Sequence, residues 1–211
     1  LRVAAGASNR PRLIVMEYNN ANTDKIALVG KGLTYDSGGY NLKSASGINY
    51  MHCDMGGAGT VIGTMYALAK NKAKVNVVGV VAACENMISG TSYKPGDIID
   101  SMKGLTIEVD NTDAEGRLTL ADAVHYATND LGAKKIIDLA TLTGAVVSAL
   151  GEVYTGAVSN NEEFYKDVEE AGKISGEKIW AFPYDEDFKK LNKSEVADIK
   201  NTSNNGAGSV T

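Results

Sequence analysis

The chain alternates short, continuously apolar runs with segments whose apolar residues recur at helical spacing. Leu13 to Tyr18 and Lys25 to Val29 read as strands separated by an Asn-rich turn. Met55 to Ala69 carries Val61, Met65, Leu68 and Ala69 at helical spacing and predicts a helix. Asn76 to Ala83 is apolar almost throughout, the pattern of a strand buried on both faces. Lys94-Pro95-Gly96-Asp97 predicts a turn, and Ile98 to Met102 and Leu105 to Val109 predict two strands joined through Lys103-Gly104. A helix is expected from Leu118 to Asn129 and a second buried strand at Lys135 to Ala140. A short helix follows at Gly144 to Leu150, then a polar-faced surface helix at Glu162 to Ser175. Strands and helices taken in turn predict an α/β fold: a largely parallel central sheet flanked by helices, with active-site loops at the carboxyl ends of the strands. No repeat or linker divides residues 1–211. The closing stretch, Asn204 to Thr211, carries no obvious terminal element, so the chain is expected to be a piece of a longer protein.

Composition narrows the chemistry. A hydrophobic share of 44% and a charged share of 22% describe an ordinary globular domain. Twenty-one basic residues against 26 acids give a net charge of −5, which argues against nucleic acid or an anionic membrane as the main partner. No apolar run approaches the ~20 residues that a bilayer crossing needs. Cys53 and Cys84 are the only cysteines, too few for a secreted disulfide framework, and point to the reducing cytoplasm. Only His52 and His125 are present, which excludes a His-rich zinc site or an H-E-x-x-H motif. Any metal must therefore be held mainly by carboxylates, which suits Mn, Mg or Zn better than thiolate chemistry.

Two stretches carry candidate chemistry. The glycine-rich segment Gly30 to Gly39 (G-K-G-L-T-Y-D-S-G-G) matches no phosphate-binding motif but offers Lys31 and Asp36, with Lys43 shortly after. Read alone, it fits a charged turn as well as a ligand loop. The second is N-T-D-A-E-G-R-L, Asn111 to Leu118. On an extended backbone Asn111, Asp113, Glu115 and Arg117 would share one face, with Thr112, Ala114, Gly116 and Leu118 turned into the body of the protein. By itself this spacing fits a solvated acidic loop with a local ion pair better than a site. Asp54, ahead of a helix, reads first as an N-cap, Cys84 as core and His125 as structural. Four acids meeting at one point would repel one another unless cations lay between them. Composition and spacing reach as far as a candidate carboxylate-rich dinuclear metal site.

N-T-D-A-E-G-R-L resembles the signature of the leucine aminopeptidase (cytosol aminopeptidase) family. Val29 to Lys43, Asp54 to Ala58, Glu85 to Gly90, Lys94 to Asp97 and Ala140 to Ala145 follow that family's pattern in order. The resemblance implies that residues 1–211 are an aminopeptidase catalytic domain, incomplete at its C-terminus and without the family's separate N-terminal domain. It implies one divalent ion on Asp36, Asp113 (with its carbonyl) and Glu115, and a second on Lys31, Asp36, Asp54 and Glu115. Mn or Zn are the implied ions, with Mg as an alternative. Lys43 would stabilise an oxyanion, and Arg117 would hold a bicarbonate acting as general base. Asn111, Thr141 and the Leu142 carbonyl would orient the substrate, while Met51 and Gly144 would line the side-chain pocket. The implied reaction is removal of an N-terminal leucine or similar residue from peptides through a metal-bridged water or hydroxide. A hexameric homo-oligomer with inward-facing sites is implied as well. Two other classes remain at this stage: a nucleic-acid-binding role, against which the net charge weighs, and a carboxylate-metal phosphoesterase.

Overall fold

The computed structural model describes residues 2–203 and 206–210; Leu1 lies outside them, as do Asn204, Asn205 and Thr211 of the closing stretch. A 3₁₀ turn over Arg2–Gly6 precedes β1 (Arg12–Asn19) and β2 (Ile26–Asp36). The four-residue α1 (Ala45–Ile48) and a 3₁₀ turn at Met51–Cys53 lead into α2 (Gly56–Lys70) and β3 (Asn76–Asn86). Then come β4 (Ile98–Asp100), β5 (Thr106–Glu108), α3 (Gly116–Asn129) and β6 (Lys135–Leu139). The remaining elements are α4 (Gly144–Leu150), β7 (Thr155–Ala157), α5 (Glu162–Ser175), β8 (Ile179–Ala181), α6 (Glu186–Lys190) and β9 (Ile199–Lys200). These form two compact units, Leu1–Leu142 with Val196–Asn201, and Thr143–Glu195 with Thr202–Thr211.

In the first unit the main sheet has the order β1-β3-β2-β6, with β2 parallel to both β3 and β6 and β1 antiparallel at the edge. The expected α/β architecture is therefore present. Alternation along the strands separates two cores. Ala27 and Val29 of β2 and Val78, Val80 and Ala82 of β3 meet Leu120, Ala123 and Ala127 of α3 on one face. Val77 and Val81 meet Ala58, Val61 and Met65 of α2 on the other. Each strand thus supplies side chains to both layers, as its unbroken apolar run predicts. A separate three-stranded sheet, β4-β5-β9, pairs β5 antiparallel with β4 and parallel with β9. The β4–β5 hairpin turns through Gly104, whose φ of 85° suits a residue without Cβ. In the second unit α5 connects the parallel strands β7 and β8, with Asn161 accepting a hydrogen bond from the Phe164 amide at its start and Gly176 in the left-handed region at its end.

The main departure from the sequence reading is at Gly30 to Gly39. Strand β2 does not stop at Val29 but continues to Asp36, paired with β3 except at a bulge at Thr34, and β3 likewise runs on to Asn86. The glycines that suggest a flexible loop serve close packing instead. A Cβ on Gly30 would lie 2.7 Å from the Ala58 Cα, and one on Gly57 would lie 1.9 Å from the Leu139 carbonyl oxygen. Helix α2 can approach the sheet this closely only because both positions lack side chains. The three-residue strands β7 and β8 and the two-residue β9 were not foreseen, being too short to show a period.

Two substitutions in α2 separate helix propensity from this approach. Alanine is the better helix former at either site by up to about 1 kcal/mol. Gly63, where an added methyl meets nothing within 4 Å, should gain that much as Gly63→Ala. Gly57→Ala should lose about 1–3 kcal/mol through overpacking against β6. Urea-denaturation midpoints moving in opposite directions would confirm the close approach; a stabilising Gly57→Ala would refute it.

Candidate metal centre

Four carboxylates and two lysines meet at the carboxyl end of β2. Lys31 lies within β2 and is 3% exposed. Its ammonium stands 2.7 Å from Asp54 Oδ2 and 2.8 Å from Glu115 Oε1, and donates to the Thr141 carbonyl at 3.2 Å. Lys43 pairs with Asp36 Oδ2 at 2.9 Å and with Asp113 Oδ1. Ligand atoms of Asp36, Asp54 and Glu115 all lie within 4.8 Å of one another, so the two lysine-centred groups form one cluster. Asp36 Oδ1 is further held by the Asn86 side-chain amide at 2.8 Å and the Gly38 amide at 2.9 Å. Thr141 Oγ1 donates to Asp54 Oδ1 at 2.7 Å.

Charge does not balance here. Counted formally, four carboxylates against two ammonium groups leave two negative charges in excess, with the Arg117 guanidinium also drawn to Glu115. Burial raises Asp54 and Asp113 above the usual carboxylate range, with Lys31 and Lys43 respectively opposing it. Burial likewise pushes Glu115 up to about 7, against the pull of Lys31 and with the added repulsion of Asp36. Desolvation alone would draw the Lys31 pKa down, but the attraction of Glu115 and Asp54 outweighs it and the pKa stands above the ordinary lysine value. Lys43 is raised in the same way, burial opposing and Asp113 and Asp36 prevailing.

Of the residues expected from the sequence, Lys31, Asp36, Lys43, Asp54, Asp113, Glu115 and Thr141 come together. Asp54 is not the N-cap that its position suggests: Met55 holds that place, and the Asp54 carboxylate turns to Lys31 and Thr141. The extended reading of Asn111 to Arg117 is also corrected. Asn111 Oδ1 accepts from the Asp113 amide at 2.7 Å, folding the chain into a turn. Glu115 is already helical, with φ −80° and ψ −33°, and α3 begins at Gly116 rather than Leu118. Asp113 and Glu115 therefore reach different lysines, and Glu115 is as buried as the apolar residues around it. Thr112, Ala114, Gly116 and Leu118 are all buried as expected. Gly116 has a definite reason to lack a side chain, because a Cβ there would sit 2.6 Å from Lys31 Cε.

Arg117 lies in the first turn of α3, half-buried, with its Nε lacking a hydrogen-bond partner among the described residues. Desolvation lowers its pKa, against the attraction of Glu115. Met51 is half-buried in the 3₁₀ turn before Asp54, whereas His52 and Cys53 beside it are exposed. Leu142 is 39% exposed. Gly144 opens α4 in the second unit.

Sequence reasoning missed the amides and hydroxyls that hold these loops. Asn86, fully buried, also donates to the Thr112 carbonyl at 3.0 Å, which accepts from Tyr93 Oη at 2.8 Å as well. Thr112 Oγ1 donates to the Gly38 carbonyl at 2.6 Å and accepts from the Asn41 amide at 2.8 Å. Asn201 binds the backbone of the Asp110–Ala114 turn. These asparagines reach partners 26 to 91 positions away and carry no spacing signal; Asn86 lies within the Glu85 to Gly90 stretch, and Asn201 lies outside every stretch that the sequence singled out.

The donor set fits divalent cations. The Lys31 ammonium meets Asp54 Oδ2 and Glu115 Oε1 at ion-pair distance, whereas Glu115 Oε2 is buried without a hydrogen-bond partner among the described residues. A buried carboxylate oxygen left in this state is costly unless a cation satisfies it.

A mostly parallel α/β sheet with an acidic cluster able to hold a metal ion at its strand ends defines the class. Residues 1–211 match the model of the cytosol aminopeptidase family, catalytic domain. The chain belongs to that family. It is 62% identical over its whole length to a probable cytosol aminopeptidase of Treponema denticola, covering 45% of that protein. It is 56% identical to one of Clostridium tetani and 57% to one of Clostridium perfringens, covering 44% and 43% of them. The chain thus spans less than half the length of these curated relatives.

Removing the cation nearest the buried acids gives a direct test. In metal-free protein, Lys31→Met leaves Asp54 and Glu115 buried without a counter-charge and should cost about 3–5 kcal/mol. Adding Glu115→Gln to it should recover part of that loss. Urea denaturation in the presence of a chelator measures both, and equal stability of wild type and Lys31→Met would contradict the charge assignment.

Proposed function

We propose that this chain carries the active site of a dinuclear metal-dependent aminopeptidase that hydrolyses the N-terminal residue, leucine and similar, from peptides. The carrying observation is the cluster of buried Asp36, Asp54 and Glu115 with half-buried Asp113, formally two negative charges beyond what Lys31 and Lys43 balance, in a chain of the cytosol aminopeptidase family. In this reading Asp36, Asp113 and Glu115 hold one ion, and Lys31, Asp36, Asp54 and Glu115 the other. An oxygen-rich set with one amine and neither thiolate nor imidazole suits Mn or Zn, and also Mg. When bound, such ions supply Lewis acidity toward the scissile carbonyl and lower the pKa of water to the neutral range.

The chain's own groups do the rest. Lys31 must be a neutral amine to act as a ligand, and divalent charge among its carboxylates reverses the upward shift that Glu115 and Asp54 impose. Lys43, released from Asp36 and Asp113 by the same competition, is free to stabilise negative charge developing on the substrate carbonyl oxygen. Arg117, whose buried Nε has no hydrogen-bond partner among the described residues at the start of α3, suits a small anion such as bicarbonate, which would take the proton from the attacking water. Asn111, Thr141 and the Leu142 carbonyl orient the peptide, and Met51 borders its side chain. Hexameric assembly and a cytoplasmic location belong to the same reading and rest on the family alone. No described helix is long and apolar enough to cross a membrane.

The test uses the full-length protein. It should retain about two Mn or Zn ions per chain and release leucine from leucine amide. Asp113→Ala combined with Glu115→Ala should lose metal. Its rate should fall by about 10²–10³-fold, since metal Lewis acidity is worth several kcal/mol and each ~1.4 kcal/mol is tenfold. A double variant that keeps both its metal and its activity would overturn the proposal, as would turnover of phosphate esters without turnover of peptides.

A further inference from the structure

We infer that Asn201 is a positioning residue for the metal centre: its side-chain amide templates the Asp110–Ala114 turn that delivers Asp113 and Glu115. The inference rests on the reading of those two carboxylates as metal ligands. Asn201 is 3% exposed and follows directly on β9, which pairs with the last residues of β5. The chain has left the first unit at Leu142 and returns to it only at Val196, so this contact closes across 87 to 91 positions. The Asn201 amide N–H donates to the Glu108 carbonyl at 3.0 Å, fixing the side chain beside the exit of β5.

From there the carboxamide uses its full hydrogen-bonding capacity on one turn. Asn201 Oδ1 accepts from the amides of Asp110 at 2.9 Å and Asn111 at 3.3 Å. Its Nδ2 donates to the carbonyls of Asn111 at 2.7 Å and Ala114 at 3.2 Å. Two acceptor sites and two donor hydrogens are all that an asparagine side chain offers. The turn needs such help because it is neither helix nor strand, and its buried backbone groups have no regular ladder to join. Asp113 sits inside the bracket formed by Asn111 and Ala114, and Glu115 follows it directly. Their placement therefore depends on a residue that touches neither carboxylate. Loss of partners that orient metal ligands typically weakens metal affinity by about 10–100-fold.

Asp198 supplies the control. It lies on the same returning segment and accepts from the Thr106 amide and hydroxyl, both at 2.8 Å, tying the other end of the β5–β9 pairing without touching the turn. In metal-free full-length protein, Asn201→Ala should speed hydrogen exchange of the amides of residues 110–115 by about tenfold or more while β2 and β3 stay protected. Manganese titrated calorimetrically into the same protein should bind about 10–100-fold more weakly. Asp198→Ala should change neither. Asn201→Asp keeps the side-chain volume and both acceptor bonds but loses the two donors, so it should reproduce the local defect where Asn201→Ala folds poorly. Unchanged exchange at 110–115, exchange accelerated throughout the unit, or an equal effect of Asp198→Ala would overturn the inference. Absence of manganese binding by the wild type would refute the aminopeptidase reading instead, and the exchange data would still decide whether Asn201 orders the turn.

Discussion

Four carboxylates held around two ammonium groups, with most of the water excluded, are what the first unit must accommodate. Transferring such groups from water costs several kcal/mol per ion even after relaxation, and only close pairing offsets it. Lys31 can pair with Asp54 and Glu115 because it projects from the middle of β2, paired with Ala82 of β3 and one residue beyond the last β2–β6 pair, Gly30 with Leu139. Lys43 completes the arrangement from the following loop, against Asp36 and Asp113. The upward shifts of Asp54, Asp113 and Glu115 express burial that this pairing does not fully offset. A centre with surplus buried negative charge is a poor stabilising device.

Close backbone packing makes that geometry attainable. Gly30 and Gly57 let α2 lie tight against β2 and β6, and Gly116 lets the start of α3 pass over the Lys31 stem. Helix and strand ends then converge within the reach of single side chains. The two apolar cores on either face of the sheet hold these backbones rigid, so that side-chain placement at the strand ends inherits the precision of the packing.

Neutral amides do the finer work. Asn86 joins Asp36 to the Thr112 carbonyl, Tyr93 adds a second donor to that carbonyl, and Asn201 brackets the same turn from the returning chain. Carboxamides suit this task because they supply donors and acceptors together without adding charge to a site already overloaded with it. The turn from Asp110 to Glu115 is thus held by three parts of the chain that are remote from it in sequence.

Much of the fold, and the charged residues that gather into one cluster, were legible in the chain. Continuous apolar runs at Asn76 to Ala83 and Lys135 to Ala140 announced buried strands, and the scarcity of histidine directed attention to carboxylates. Those are local properties, set by side-chain period and residue chemistry. The extent of β2, the role of Asp54 and the path of Asn111 to Arg117 were not legible. Glycine in Gly30 to Gly39 reads as flexibility until the neighbouring helix is in place, and an aspartate before a helix reads as a cap until Lys31 lies opposite it. Even spacing in N-T-D-A-E-G-R-L suggested an extended strand, whereas the Asn111 side chain and Asn201 fold it into a turn. Sequence by itself determined which groups were available and where strands and helices would form. Tertiary structure decided which groups meet, because pairing of buried charges and saturation of buried amides depend on partners that no local pattern encodes.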